Sequence, residues 1–468
     1  MAAIPIRYPP GPPRSIRTLV IYGPGRDPLA FFSNLARTYG DISHVHMAGE
    51  HLFLLNHPQL VKDVLVTNQR SFHKGRGLER AKRLLGEGLL TSEGATHRRQ
   101  RLLMQPAFHR ERIASYASVM TCYADRVQRG WTDGGTIDAA HEMRRLTLGV
   151  VGKTLFDADV DSQAQNVGRS LNAVLGSFWL TMLPFFDLLE HLPLPAFRRS
   201  REARAELDAI IYGMIAERRK SPGDRGDLLS MLLMAQDDDG DGGGMTDRQV
   251  RDEAMTIFLA GHETTANALA WTWYLLSGAP DAEARLHEEV DRVLGGRLPT
   301  VEDVGNLPFV EQVVTESMRL YPPAWIIGRR AIEDYPVAGY VLPARSIVVV
   351  SPYLLHRDAR FFPEPDRFMP ERWTADFKAS LPPFAYFPFG GGTRRCIGES
   401  FAWMELMLVL STLAQQWRLR LVPGHQVVPQ PVVTLRLKHG LKMTASRRHE
   451  KNGFGLQTTG FGESGSGR

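Results

Sequence analysis

Apolar residues run through positions 254–276 with helical spacing, and in the second half of that stretch they surround nearly the whole circumference. A helix of that pattern is enclosed by protein. Thr246 and Gln249 stand ahead of it at capping-box spacing, and Gly278 and Pro280 follow it as stop signals. At about 1.5 Å per residue such a helix spans about 45 Å, the breadth of a whole domain. Strand-like runs dominate residues 41–67 and 335–352. In the second, YPVAGYVLP and SIVVVSP predict a hairpin-like pair with Gly339 and Pro343 as turn residues. The rest is mainly helical and shows no internal repeat. The pattern therefore predicts a mainly α protein with a smaller β-rich part.

Nothing along the chain reads as a linker between two independent cores, so one large domain is expected. Residues 1–24 are a Pro-rich N-terminal segment, and residues 446–468 form a tail whose Gly and Ser content predicts disorder. Between them, QDDDGDGGGM at 236–245 mimics the start of a calcium loop. The twelfth position of such a loop needs a bidentate Glu and holds Arg248, so a solvated connector is expected. Residues 171–190 contain Pro184 and end in Asp187 and Glu190, and residues 254–276 carry His262, Glu263 and Asn267 at mid-span. Charge at that depth is costly in lipid, so both are expected as buried helices, with no transmembrane segment. The N-terminus also lacks the apolar run of a signal peptide.

Composition narrows the setting. Of 468 residues only two are cysteine, Cys122 and Cys396, too few for a disulfide scaffold. A reducing, cytoplasmic location is expected. Cys122 lies in a helical stretch, MTCYADRV, and is expected as a packed small side chain. The net charge of +5 is spread along the chain without long basic blocks, a weak pointer to an anionic partner such as nucleic acid, lipid or an acidic protein, and of these no nucleic acid is expected as the partner.

Cys396 has different surroundings. Residues 388–398 read PFGGGTRRCIG and lead directly into a helical run, GESFAWMELMLVLSTLAQQW. A cysteine at a helix N-terminus has its thiolate favoured by the macrodipole and by free N–H groups, and nearby arginines add to this. Gly390, Gly391, Gly392 and Gly398 let backbone turn sharply and approach a flat ligand closely. A phosphate loop would end in Gly-Lys-Ser/Thr, which is absent.

This segment resembles the signature of the cytochrome P-450 superfamily, F-x-x-G-x-R-x-C-x-G. Phe389, Gly392, Arg394, Cys396 and Gly398 fill each defined position. The resemblance implies heme b held noncovalently, its iron ligated by the Cys396 thiolate, Phe389 packed near the sulfur and Arg394 paired with a propionate. Thiolate ligation favours O–O cleavage.

Companion motifs follow in the order the family has them. ESMRLYPP holds Glu316 and Arg319, three apart on a helix, and FMPERW supplies Arg372. The resemblance implies that these three form a structural network. AGHETTA at 260–266 resembles the oxygen-activation motif, with Gly261 thinning the helix wall, Thr264 beside bound oxygen and Glu263 relaying protons. His97 and Arg101 fit one helix face towards the propionates, and Arg329 fits a third contact there, with Arg330 its confusable neighbour. Ala260, Ile326, Ile327, Val432 and Val433 are placed by motif near the substrate pocket. The resemblance covers about residues 25–445, implying one haem domain there, and the implied fold is the cytochrome P-450 fold, with the long central helix crossing the haem.

The implied reaction is monooxygenation: one oxygen atom of O2 enters a hydrophobic substrate by hydroxylation or epoxidation. Electrons come from an external ferredoxin or flavodoxin with its reductase, docked on a basic face including Arg98, Arg99 and Arg395. Two rivals stay open, a peroxide-dependent haem-thiolate enzyme and a nonenzymatic haem-binding sensor. Zinc proteases are excluded: the His required four residues after His141, His262 and His287 is Arg145, Ala266 and Asp291.

Overall fold

A computed structural model of the chain describes residues 8–13, 27–47, 49–157, 164–178, 180, 192, 194–235 and 244–448. Its longer helices are α1 (Pro28–Tyr39), α2 (Arg76–Leu85), α3 (Gly94–Met104), α4 (Arg110–Gln128), α5 (Ala139–Phe156), α6 (Ala164–Gly176), α7 (Pro195–Lys220), α8 (Leu228–Met234), α9 (Asp247–Ser277), α10 (Pro280–Leu294), α11 (Pro308–Leu320) and α12 (Glu399–Gln416). The strands are β1 (Ile42–Met47), β2 (Glu50–Leu55), β3 (Phe72–Lys74), β4 (Gly135–Asp138), β5 (Ile327–Ala331), β6 (Tyr335–Val337), β7 (Tyr340–Leu342), β8 (Ile347–Val350), β9 (Trp417–Leu421), β10 (Pro429–Pro431), β11 (Leu435–Leu437) and β12 (Lys442–Arg447).

The long helix has the ends its sequence predicts. Thr246 caps α9 and exchanges bonds with Gln249, and Gly278 is its C-cap. Along its length α9 packs on α5, α7 and α11, so it passes through the helical core. Trp271 and Trp273 are wholly buried, and Trp271 stacks on Tyr321 at 3.9 Å. α12, the helix that follows Cys396, lies against α4 and also meets α9.

The β-rich part is a five-stranded sheet of order β1-β2-β8-β5-β3. β2 and β8 run parallel, and the remaining pairs are antiparallel. β6 and β7 form a hairpin turned by Ala338 and Gly339 with φ of 49° and 78°, whereas β8, the SIVVVSP run expected to pair with them, joins β2 and β5 in the larger sheet. A second sheet, β4-β12-β9, closes the far side of the helical layer.

Four expectations need adjustment. Residues 41–67 are only partly strand: Pro58–Lys62 is α-helix and Asp63–Thr67 a π-helical turn. Leu60, Val61, Val64 and Leu65 recur at helical, not alternating, spacing, and Pro58 opens the first turn. Cys122 is exposed on α4 and is no packing residue. β12 runs to Arg447, so ordered chain reaches past the expected tail boundary at 446. Of the Pro-rich segment, residues 8–13 lie along β1, where Pro10 O accepts from His44 N–H at 3.1 Å. The remainder of residues 1–24, the acidic stretch 236–243, residues 181–190 and the tail from 449 lie outside the described residues. No helix among the described residues is long and apolar enough to cross a membrane.

Candidate active site

The Cys396 loop is built by hydrogen bonds before it meets α12. His356 Nε2 accepts from Phe387 N–H at 3.0 Å, Gly390 N–H bonds Phe387 O at 3.0 Å, and Cys396 N–H bonds Phe389 O at 3.0 Å. Gly392 has φ of +69°, and a Cβ there would stand 2.1 Å from Leu65 O, so glycine is obligatory. Gln69 Oε1 accepts both the N–H and the hydroxyl of Thr393, at 2.8 and 2.9 Å. These contacts hang the loop on Leu65 of the π-helical turn and on Gln69 in the short 3-10 turn after it, neither of which sequence patterning revealed. Gly398 has φ of −87° and open contacts, so this backbone does not require its glycine. Phe389 packs on Trp403 with ring centres 6.1 Å apart.

Cys396 is accessible. Its thiol is nevertheless pushed up to about 11, chiefly by desolvation, against the Gly398 N–H, Arg101 and Arg395, which pull it down. Surrounding protein and an accessible sulfur are compatible when the sulfur faces an internal hollow. Burial thus outweighs the helix terminus and arginines that the sequence brings to it, and ionisation requires a cation at the sulfur itself.

α9 supplies a second wall. From Val250 to Trp273 every residue is buried except Ala260, Gly261 and Thr264. Those positions share one helix face. Thr264 Oγ1 donates to Ala260 O at 2.7 Å. A Cβ on Gly261 would lie 3.0 Å from the Val151 side chain, so its missing side chain serves the close crossing of α5. Glu263 turns to β11, where the Arg436 guanidinium and the Thr434 hydroxyl (2.5 Å) donate to Oε1. Burial pushes Glu263 up, but Arg436 and Thr434 prevail and hold it below the usual carboxylate range. His262 is buried and bonded to Phe258 O at 2.5 Å.

Positive side chains gather between β3, α3, β5 and the Cys396 loop. Arg394 donates to Glu93 at 2.6 Å. Lys74 Nζ donates to Leu89 O and Ser92 O at 2.7 and 2.6 Å. Arg101 donates to Arg395 O at 2.8 Å, and His97 is buried. Arg329 is buried with its Nε lacking a partner, whereas Arg330 pairs with Glu50 and Glu79. Burial and like charge lower Arg329 to about 10, Lys74 to about 7 and His97 to about 4. Glu93 is the acid common to their surroundings. An excess of desolvated cations beside an accessible cysteine fits a dianionic iron macrocycle, whose carboxylates would satisfy Arg329 and Lys74. Sequence reasoning missed Lys74, Glu93 and Gln69, since none belongs to a motif.

Glu316 and Arg319 are wholly buried and joined at 2.8 and 2.9 Å. Arg372 Nε and Trp373 Nε1 also donate to Glu316, at 3.0 and 2.9 Å. Arg319 continues to the carbonyls of His356 (2.8 Å) and Pro365 (2.6 Å). His356 holds Phe387, so this network reaches the Cys396 loop through one residue.

An apolar cavity of about 40 Å³ is lined by Leu78, Leu84, Leu90, Phe178, Leu259 and Val433. Of the five pocket residues expected from motif position, Val433 alone is in this wall. Ala260, Ile326 and Ile327 are partly accessible, and Val432 is an exposed hydrophobic whose carbonyl accepts from Trp325 Nε1 at 3.1 Å. A larger groove of about 660 Å³ lies along α7, lined by residues such as Asp157, Met214 and Arg218. It shares no residue with the Cys396 loop and has no evident part in this chemistry.

The family model described as Cytochrome P450 matches residues 9–443. Cyclooctatin synthase of Streptomyces melanosporofaciens is 44% identical over 88% of this chain and 89% of its own length. Cyclooctat-9-en-7-ol 5-monooxygenase of the same organism is 39% identical over 85% and 86%. Pentalenene oxygenase of Streptomyces avermitilis is 37% identical over 90% and 94%. The crystal structure of the cytochrome P450DA heme domain aligns with TM-score 0.86 and 27% identity, covering 95% of this chain and 98% of that one. Retinoic acid-bound cyanobacterial CYP120A1 aligns with TM-score 0.84 and 26% identity, covering 94% and 100%.

Proposed function

The chain belongs to the cytochrome P450 family, and on that footing we propose that this monooxygenase oxidises a cyclic terpenoid, with electrons from a separate acidic protein. Incorporation of oxygen from O2 into an organic substrate is the activity that its family and its monooxygenase relatives carry. Haem held by Cys396 supplies the activation of O2. His97, Arg101, Arg329, Arg394 and Lys74 would hold its carboxylates when it is bound, and Phe389 and Gly392 shape the loop around the sulfur.

The substrate class rests chiefly on relatives whose names concern cyclooctatin, cyclooctat-9-en-7-ol and pentalenene oxidation. The wall of Leu84, Leu90, Phe178, Leu259 and Val433 is apolar, which suits a hydrophobic substrate in general and does not by itself select a terpenoid. Thr264 holds a proton at Oγ1 on the accessible face of α9. Glu263 can carry protons towards that face only by loosening its contact with Arg436.

For the electron donor, α3 offers Arg98 and Leu102 one turn apart, both exposed, with Arg395 nearby. Charge with a central apolar residue suits a small acidic ferredoxin or flavodoxin. A spin-shift titration with cyclic terpenes, linear fatty acids and steroids tests the substrate class. Terpene binding followed by an oxygenated product with a surrogate reductase is expected. A response to fatty acids or steroids with none to terpenes would falsify it.

A further inference from the structure

The chain between α2 and α3 is fastened to α9 in step. Arg251, Asp252 and Glu253 are consecutive on α9 and all buried. Arg251 Nη1 donates to Leu85 O at 3.2 Å, Asp252 Oδ2 accepts from Glu87 N–H at 2.8 Å, and Glu253 Oε2 accepts from Leu89 N–H at 2.8 Å. Each residue along α9 thus takes the next residue but one along the loop. Glu87 and Leu89 are also held at their carbonyls from other elements: Gln100 of α3 donates to Glu87 O at 2.5 Å, and Lys74 of β3 to Leu89 O at 2.7 Å. No side chain separates loop from helix at Gly88, where a Cβ would stand 2.3 Å from Thr256 Oγ1 and 2.5 Å from Asp252 O. Arg251 is itself fixed by Asp208 of α7 at 2.6 Å and by Asp252 at 2.7 Å. Leu89 is buried, and Leu90 lines the apolar cavity beside Leu259 and Val433.

We propose that Arg251, Asp252 and Glu253 lock residues 85–90 as an immobile wall of the substrate pocket, with Glu253 setting how far Leu90 reaches into it. Loops ordinarily belong to the mobile parts of a fold, but backbone groups held by buried side chains do not open freely. Glu253 acts through the Leu89 N–H and is a positioning residue. Without its acceptor that N–H would be buried and unpaired, and the loop would gain by lifting towards water. The lock follows from the hydrogen bonds alone. Its bearing on substrate size rests on the monooxygenase reading, which assigns the cavity to the substrate.

Hydrogen–deuterium exchange of the full-length, haem-loaded protein, read by mass spectrometry, tests the lock. Peptides covering 85–90 should exchange slowly with no ligand added. Glu253→Leu should speed that exchange about tenfold, the effect of one lost buried hydrogen bond. Glu253→Gln, whose amide carbonyl still accepts from Leu89, should keep the parent rate. Fast exchange in the parent, or an unchanged rate in Glu253→Leu, overturns the lock. A Gln variant as loose as the Leu variant overturns the assignment to the Leu89 bond. Azole ligation of the haem iron then reads the pocket. In Glu253→Leu the affinity for 4-phenylimidazole should rise about tenfold relative to that for imidazole, as the wall gives way to the larger ligand. The same affinity ratio in parent and variant, with the loop loosened, overturns the sizing role. Neither measurement uses a terpenoid or turnover, so failure here is distinguishable from a wrong substrate or reaction.

Discussion

Glu263 and Arg436 form a largely buried ion pair that ties the middle of α9 to β11, about 100° round the helix from Thr264. It determines how Glu263 can act. Arg436→Met leaves burial as the dominant influence, so Glu263 should rise out of its present low range. The pair stabilises the fold above the carboxylate's unfolded pKa, and that contribution disappears as pH falls through the depressed folded value. The variant should lose about 3 kcal/mol near neutral pH, the lower end for a broken buried pair because Arg436 keeps some exposure, and less in acid. Urea unfolding at several pH values checks this; equal losses at every pH would remove the ion pair as the cause.

Arg319 and Glu316 carry a larger structural demand. Each has no solvent contact, and Glu316 receives further donors from Arg372 and Trp373. Arg319→Leu strands the carboxylate and should cost about 3–5 kcal/mol. Because the network reaches Phe387 through His356, haem-thiolate integrity should fail with it. The reduced CO spectrum during thermal unfolding should show thiolate ligation lost at lower temperature than in the parent.

Lys74 offsets the pH dependence that Cys396 gives to haem binding. Without haem it is lowered to about 7, by burial first and then by Arg394 and Arg329, so it is mostly neutral at pH 8. Haem carboxylates favour its charged form, and binding then takes up about one proton. Cys396, protonated before binding, releases about one when it becomes a ligand. The two nearly cancel in the parent, whereas Lys74→Met should show net release of about one proton. Calorimetry of haem addition in buffers of different ionisation enthalpy reads this directly.

The proposed electron-donor contact at Arg98 and Leu102 would combine two kinds of force. Arg98→Glu should slow reduction most at low salt and flatten its ionic-strength dependence. Leu102, 52% exposed, is an apolar contact that salt does not screen. Leu102→Ala should slow reduction similarly at low and high salt. Stopped-flow reduction with an acidic ferredoxin distinguishes the two, and unchanged rates in both variants place the donor elsewhere.

Local chemistry made much of this protein legible. The Thr246 cap, the Gly278 stop and the apolar circumference of α9 are short-range signals, and the helix lies where they place it. The Cys396 segment with Glu316, Arg319, Arg372 and Thr264 in order identified the family, since each motif depends on residues close in sequence. Where the pattern misled, as at 58–67, apolar content was read without its spacing.

What only the tertiary structure decided depends on residues far apart in the chain. Lys74 and Glu93 join Arg329 and Arg394 because β3, α3, β5 and the Cys396 loop converge. Glu263 faces Arg436 and Thr434 because β11 folds back across α9. Sequence motifs determined which side chains could hold and activate oxygen chemistry. Burial and long-range pairing decided their protonation, because desolvation depends on everything packed around a group and not on the residues beside it in the chain.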